Sequence, residues 1–361
     1  MKIFKKLAAA AAAGVLAATL LVAAPAQAHD STFKIHSSGR GWCATLDVRV
    51  APAPGQPRIW NVAATYCQPF RWARGAHEVD VLTHGATYTG AYWDWEQQPD
   101  LYSYVGKTLT SGRATVAYDR IGNGASTVPT AAADITMASD AYVLHQLIVV
   151  LHALGYRHIN SISHSYGVGV ALAEATTTYL NSRGEPDGVK ANALVLTGYL
   201  HRPSNPLVTA GNYPANQDPD WPVTLDGQYL TTRPGARLYG FHTPTSDPAV
   251  VAYDEDHKDL VSLTGLLGFL GARGVPAAGN ISNLVTVPVL VVNGQLDAIF
   301  CLDPAVFNCA DVDAVKANEA PFYGAASSFE LKTVAGSGHD LTLHQSANVS
   351  YGYINDWINA L

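Results

Sequence analysis

Short runs of consecutive apolar residues alternate along most of this chain with longer stretches whose apolar positions recur every three or four residues. Residues 78–83 and 113–118 read as strands, the first ending at His84-Gly85 and the second running into Asp119-Arg120-Ile121-Gly122-Asn123-Gly124. In 139–154, Tyr142, Val143, Leu147, Val150, Leu151 and Leu154 fall at helical spacing and Gly155 supplies a stop. Residues 159–163 form a short strand that is polar for a buried one, and 166–180 a helix rich in alanine and small residues. Further buried strands are expected at 193–196, 287–292 and 329–334. Nearer the start, 44–50 and 58–65 are strand-like runs joined by the turn-rich stretch 51–57. Strands alternating with helices predict a mostly parallel sheet covered on both faces. The fold class is α/β.

Residues 198–284 break the rhythm. They are rich in Pro, Gly, Asn, Asp and Tyr, with one apolar run at 260–270. Aromatics and an apolar run need burial, which argues against a disordered linker. The segment is expected to be a cap inserted between core strands and arching over the sheet's ligand-binding edge. Residues 29–197 then form the first part of the core and 285–361 the second. There is no internal repeat and no nucleotide-type Gly loop.

The beginning of the chain has its own pattern. Lys2, Lys5 and Lys6 precede an Ala/Leu/Val run from Leu7 to Ala24, and Ala26-Gln27-Ala28 follows. A basic start, an apolar stretch and an A-x-A site predict a cleaved signal peptide over 1–28 and a secreted, extracellular protein with no stable membrane anchor after processing. An uncleaved anchor is the competing reading, but an alanine-rich run is only weakly apolar. The full chain of 361 residues carries a net charge of −7, and removing the leader leaves 19 basic against 29 acidic residues. A surface of that sign excludes phosphate-backbone binding, so nucleic acid is not an expected partner.

All four cysteines follow the leader, where an oxidising compartment would pair them. Three pairings are possible. Local geometry favours Cys43–Cys67, which flank the two early strand-like runs, and Cys301–Cys309, which would close a short loop. No C-x-x-C pair or Cys/His spacing supports a metal site.

The sharpest chemical signal is Ser163-His164-Ser165-Tyr166-Gly167, set between a strand and a small-residue helix. A hydroxyl pushed out of a tight strand-to-helix turn needs small residues two positions either side, which Ser163 and Gly167 provide. The helix N-terminus beyond it offers free N–H groups and positive potential. Four more motifs follow the same logic: Val81-Leu-Thr-His84-Gly85-Ala86-Thr87, Tyr118-Asp119-Arg120-Ile121-Gly122-Asn123-Gly124-Ala125-Ser126, Val287-Pro-Val-Leu-Val-Val-Asn293-Gly294-Gln295-Leu296-Asp297, and Ala335-Gly336-Ser337-Gly338-His339. Through most of 76–361 the chain resembles the α/β-hydrolase superfamily. The departure is Ser163, where the family's G-x-S-x-G pattern has Gly.

That resemblance implies roles, in the family's order Ser, acid, His. Ser165 would be the nucleophile, His339 the general base and acid, and Asp297 the group that orients the imidazole. The N–H groups of Ala86 and Tyr166 would form the oxyanion hole. Rival assignments are Ser161 or Ser163 for the nucleophile, His344 for the base, expected instead to begin the terminal helix, and Asp303 for the acid. His84 is expected to brace its turn and His164 to be a buried, satisfied histidine. Asp254-Glu255-Asp256-His257 reads as a solvated surface turn. Tyr88, Tyr92, Trp93 and Trp95 serve either a pocket wall or the core.

The resulting expectation is a secreted, monomeric serine hydrolase that cleaves a small-molecule or lipid-like carboxylic ester without cofactor or metal. A secreted aminopeptidase of the same superfamily is the alternative, with Asp254–Asp256 as its only candidate grip on an amino terminus. The third reading is a non-catalytic binding protein on a hydrolase scaffold.

Overall fold

In the computed structural model, residues 35–38, 40–72, 77–201, 211–301 and 308–361 are described. The expected signal peptide, 1–28, and Asp303 lie outside them. Twelve strands run in chain order. The first seven are β1 (Ile35–Ser38), β2 (Gly41–Val50), β3 (Trp60–Pro69), β4 (Glu78–Thr83), β5 (Ala114–Tyr118), β6 (His158–His164) and β7 (Ala193–Thr197). They are followed by β8 (Asn212–Pro214), β9 (Tyr229–Thr232), β10 (Val261–Ser262), β11 (Val289–Gly294) and β12 (Phe329–Val334). Nine of them form one sheet in the order β1-β2-β3-β5-β4-β6-β7-β11-β12. From β5 to β12 every pairing is parallel, while β1, β2 and β3 pair antiparallel at one edge.

Each central strand is buried on both sides, and its alternate residues feed two separate cores. Val79 and Val81, Leu194 and Leu196, and Val289 and Val291 face the core built with helices Met137–Ala153 and Tyr166–Thr176. Leu82, Val195, Leu290 and Val292 face the other, with helices Tyr104–Thr110 and Ala347–Ala360. Thr136 opens the first long helix with a capping box to Ser139. The small-residue helix stops at Thr176 rather than at residue 180. Thr176-Thr177-Thr178 is a β-branched run with poor helix propensity. Both expected disulfides are present. Cys43 and Cys67 face each other across β2 and β3, and Cys301–Cys309 closes a loop beyond β11. No helix among the described residues is long and apolar enough to cross a membrane.

The polar character of β6 has a specific cause. Asn160 donates to Asp80 Oδ1 at 2.9 Å, and Asp80 also holds Arg113 at 3.0 Å and accepts from the Tyr104 hydroxyl at 2.9 Å. All four groups are buried, so the charge pair is tolerable because every partner is satisfied. Between β7 and β11 the chain leaves the sheet. Among its described residues are the three-stranded antiparallel unit β10-β9-β8 and the α-helices Ala236–Gly240, Pro248–Asp256 and Leu263–Arg273.

Candidate active site

Ser165 occupies the single-residue step between β6 and helix Tyr166–Thr176, at φ 51° and ψ −118°. A serine with positive φ is strained, and the surroundings hold it there. Its N–H donates to Thr197 O at 2.9 Å, and its carbonyl accepts from Val168 N at 2.9 Å. The demand for small neighbours is visible in the packing. A Cβ on Gly167 would lie 2.7 Å from the carbonyl oxygens of both Thr83 and His84, and one on Gly85 would lie 3.2 Å from Ser165 Cβ. Ser163 is accommodated because its side chain sits within β6, its hydroxyl 3.4 Å from that of Ser161. Those two hydroxyls, the rival nucleophiles, face each other.

The ends of β11 and β12 supply the rest. Gly294 closes β11 so tightly that a Cβ there would lie 2.0 Å from Gly338 O. This contact sets the 297 and 339 loops side by side. His339 Nε2 is 2.9 Å from Ser165 Oγ, and His339 Nδ1 is 2.9 Å from Asp297 Oδ2. The other carboxylate oxygen of Asp297 accepts from Ile299 N at 2.8 Å and Phe300 N at 3.2 Å. Burial alone would lower the His339 pKa, but the charge and hydrogen bond of Asp297, with help from Asp340, raise it above its ordinary value. Ala86 and Tyr166 line the same small cavity as Ser165 and His339. His344 lies three residues before the terminal helix, which starts at Ala347. It is buried, with Nδ1 3.1 Å from Asp340 O and its pKa pushed down to about 4 by burial.

The sequence model of the alpha/beta hydrolase family matches residues 81–350, spanning the Ser165, Asp297 and His339 loops. The chain belongs to this family. No curated protein sequence matches it. Among solved structures, this hydrolase is similar to a soluble variant of monoglyceride lipase from Saccharomyces cerevisiae, at TM-score 0.59 and 16% identity over 94% of this chain and 99% of its counterpart. It is similar to a thermophilic esterase from Thermogutta terrifontis, at TM-score 0.56 and 18% identity over 88% of this chain and 98% of the other. A bromoperoxidase from Bacillus anthracis shares the fold at TM-score 0.53 and 15% identity over 83% and 96%. Identities this low speak to the fold alone.

The hydrolase braces the turn at 84–87 from two directions. From the core, Arg120 donates its backbone N–H to His84 Nε2 at 3.0 Å and its guanidinium to Gly85 O at 3.1 Å, pairs with Asp140 at 3.2 Å, and covers the Tyr166 ring. His84, buried beside Arg120, is held neutral. From the inserted segment, Arg237 donates to Thr87 Oγ1 at 3.0 Å and forms a two-pronged pair with Asp254, both contacts 2.8 Å. Asp254 is therefore not part of a solvated turn. It is 1% exposed, on the inward face of helix Pro248–Asp256, while Asp256 and His257 on the outer face are exposed.

A second His–Asp pair lies directly behind the first. His164 Nε2 is 3.1 Å from Asp340 Oδ1, so the residues next to Ser165 and His339 in the chain are also bonded to each other. Thr197 Oγ1 sits 3.1 Å from His164 Nδ1, and Tyr92 stacks on the ring at 4.5 Å. The Tyr88 hydroxyl then bridges Asp340 to Asp254, which also takes His242 Nε2 at 2.8 Å. Burial would raise the Asp340 pKa, but the hydrogen bond from His164 and the surrounding histidines hold it well below the usual carboxylate range. His242, Asp254 and Asp340 present donor atoms within 4.8 Å of one another, yet Arg237 already supplies the cation that balances Asp254. Of the four aromatics after the turn at 84–87, Tyr88 lines the Ser165 cavity. Tyr92, Trp93 and Trp95 are core. Sequence reasoning did not assign Asp340, Arg120, Arg237 or His242. The one local signal was the dipeptide His339-Asp340.

Proposed function

We propose that this hydrolase cleaves carboxylic esters through an acyl-enzyme on Ser165. The observation that carries the reading is the pair of 2.9 Å contacts linking Ser165 Oγ to His339 Nε2 and His339 Nδ1 to Asp297, with the serine held in a strained turn. His339 takes the hydroxyl proton as Oγ attacks the acyl carbon. Asp297 fixes the Nδ1–H tautomer and stabilises the imidazolium. The backbone N–H groups of Ala86 and Tyr166 receive the developing oxyanion, each worth about 3 kcal/mol of barrier. The imidazolium then protonates the departing alkoxide. Water, deprotonated by the same His339, attacks the acyl carbon and releases the carboxylic acid and free Ser165.

The aminopeptidase alternative loses its anchor. Asp254 would have to grip a substrate ammonium, but Arg237 and His242 already occupy it. The binding-protein reading does not account for a raised His339 pKa and a strained serine in one cavity, features that serve a reaction. Secretion is part of the proposal. It rests on the predicted leader, and two disulfides are compatible with it.

The test is a paired panel of p-nitrophenyl esters and aminoacyl p-nitroanilides, run on the wild type and Ser165→Ala. Ester turnover falling on the order of 10⁴-fold or more in the variant, with no anilide cleavage by either, is the expected result. Preferential anilide cleavage would replace the ester reading with the peptidase one.

A further inference from the structure

The cavity over Ser165 has a volume of about 30 Å³, room for one or two water molecules and no more. A second cavity of about 360 Å³ adjoins it, in the size range of ligand sites. Pro234, Ala236, Tyr239 and Ala298 line this larger space, and Phe241 and Ile299 belong to the walls of both. Phe241 and Ile299 are thus the two residues at which the spaces meet.

Their backbones are tied to the reacting groups. Ile299 N donates to Asp297, and Phe241 O accepts from Asp340 N at 3.2 Å, beside His339. The Phe241 ring lies 5.6 Å from the His339 ring, and Phe241 N is anchored on Arg237 O at 2.8 Å. A turn of the Phe241 side chain is a fast rotameric motion that leaves in place the backbone holding His339 and Asp297. Tyr239, on the wall of the larger cavity, is 76% exposed, a ring left in solvent.

We propose that the larger cavity binds the apolar arm of the ester, an alkyl or aryl group, and that the arm passes between Phe241 and Ile299 to bring its ester carbon to Ser165. This rests on the ester reading above and names its substrate class: esters with an extended apolar arm rather than short or charged ones. The walls of the space are apolar apart from its edge at Thr232 and Arg233. Each methylene transferred into such walls should raise kcat/KM about fourfold until the space is filled.

The experiment uses the full secreted enzyme with p-nitrophenyl esters from acetate to decanoate, and alkyl acetates of matching length to vary the alcohol side. Gly240 lines the space, and a Cβ built on it meets nothing within 4 Å, so Gly240→Phe places a ring in the cavity. The wild type is expected to show rising kcat/KM with length in one series. Gly240→Phe should cut the octanoate-to-acetate ratio, or its alcohol-side equivalent, at least tenfold. Phe241→Ala should raise that ratio. Unchanged ratios in both variants, or a flat wild-type profile in both series, would overturn the proposal. Should Gly240→Phe fail to fold, Ala236→Leu narrows the same space. A parallel series of alkyl phosphonates of increasing chain length reads the labelling rate of Ser165 without ester turnover. Length-dependent labelling with no ester hydrolysis would sink the ester reading and keep the arm site, whereas length-independent labelling would sink the arm site itself.

Discussion

Asp340→Asn tests whether the second His–Asp pair works on the first. The side chain is fully buried, bonded to His164 and touched by the Tyr88 hydroxyl. Asparagine keeps one acceptor oxygen for His164, and its NH2 can donate to the Tyr88 oxygen while that hydroxyl donates to Asp254, so the geometry should survive while the charge disappears. Asp340 and His339 present polar atoms within 4.8 Å of each other. Unit charges 4.8 Å apart in an effective dielectric near 20 interact by roughly 3.5 kcal/mol, which sets the scale of the effect before relaxation and screening reduce it. Asp297, bonded directly to His339, supplies the larger part of its upward shift, and the Asn dipole retains some of what is lost. A downward shift of about 1 unit, roughly 1.4 kcal/mol, is expected. The sign follows from the charge. Removing a carboxylate that favours the imidazolium lowers the His339 pKa, so its neutral, active form persists to lower pH. The assay is kcat/KM against pH for a p-nitrophenyl ester, whose acidic limb reports the base in the free enzyme. A limb that stays in place or moves upward in a folded variant would refute the coupling.

Two further predictions concern the groups that hold the site. Asp254→Asn leaves the buried Arg237 charge without its partner and should cost about 3–5 kcal/mol in urea unfolding, whereas the double change Arg237→Met with Asp254→Leu should recover most of that loss. A single-variant loss under about 1 kcal/mol would contradict it. Gly294→Ala places a Cβ against the backbone oxygens of Gly338 and Ser337. The His339 loop must then shift, and kcat/KM should fall on the order of 100-fold while circular dichroism stays native. A fully active variant would show that this close approach does not set the triad.

Much of the fold was legible because parallel strands buried on both faces appear as continuous apolar runs, and β7 and β11 do so. The candidate site residues stood out for a related reason. Each sits at a strand end within a local motif: Ser165 after β6, Asp297 after β11 and His339 after β12. The bracing network is different in kind. Arg237 meets Asp254 and Thr87, and Tyr88 joins Asp254 to Asp340, across separations of up to 252 residues that leave no local pattern. An acidic run offers three carboxylates, and only helix phase decides that Asp254 turns inward while Asp256 does not. The polarity of β6 was visible but unexplained, because its cause lies on the neighbouring strands with Asp80 and Arg113. Strands of two to four residues such as β8, β9 and β10 are too short to carry a readable alternation.

The central claim is that Ser165 is an activated nucleophile. Intact-mass analysis after exposure to a small fluorophosphonate tests it most directly. The wild type should gain one adduct, located on Ser165 by peptide mapping, and Ser165→Ala should gain none. A folded wild type that takes no label from even the smallest phosphonate, or one labelled equally well without Ser165, would contradict the account.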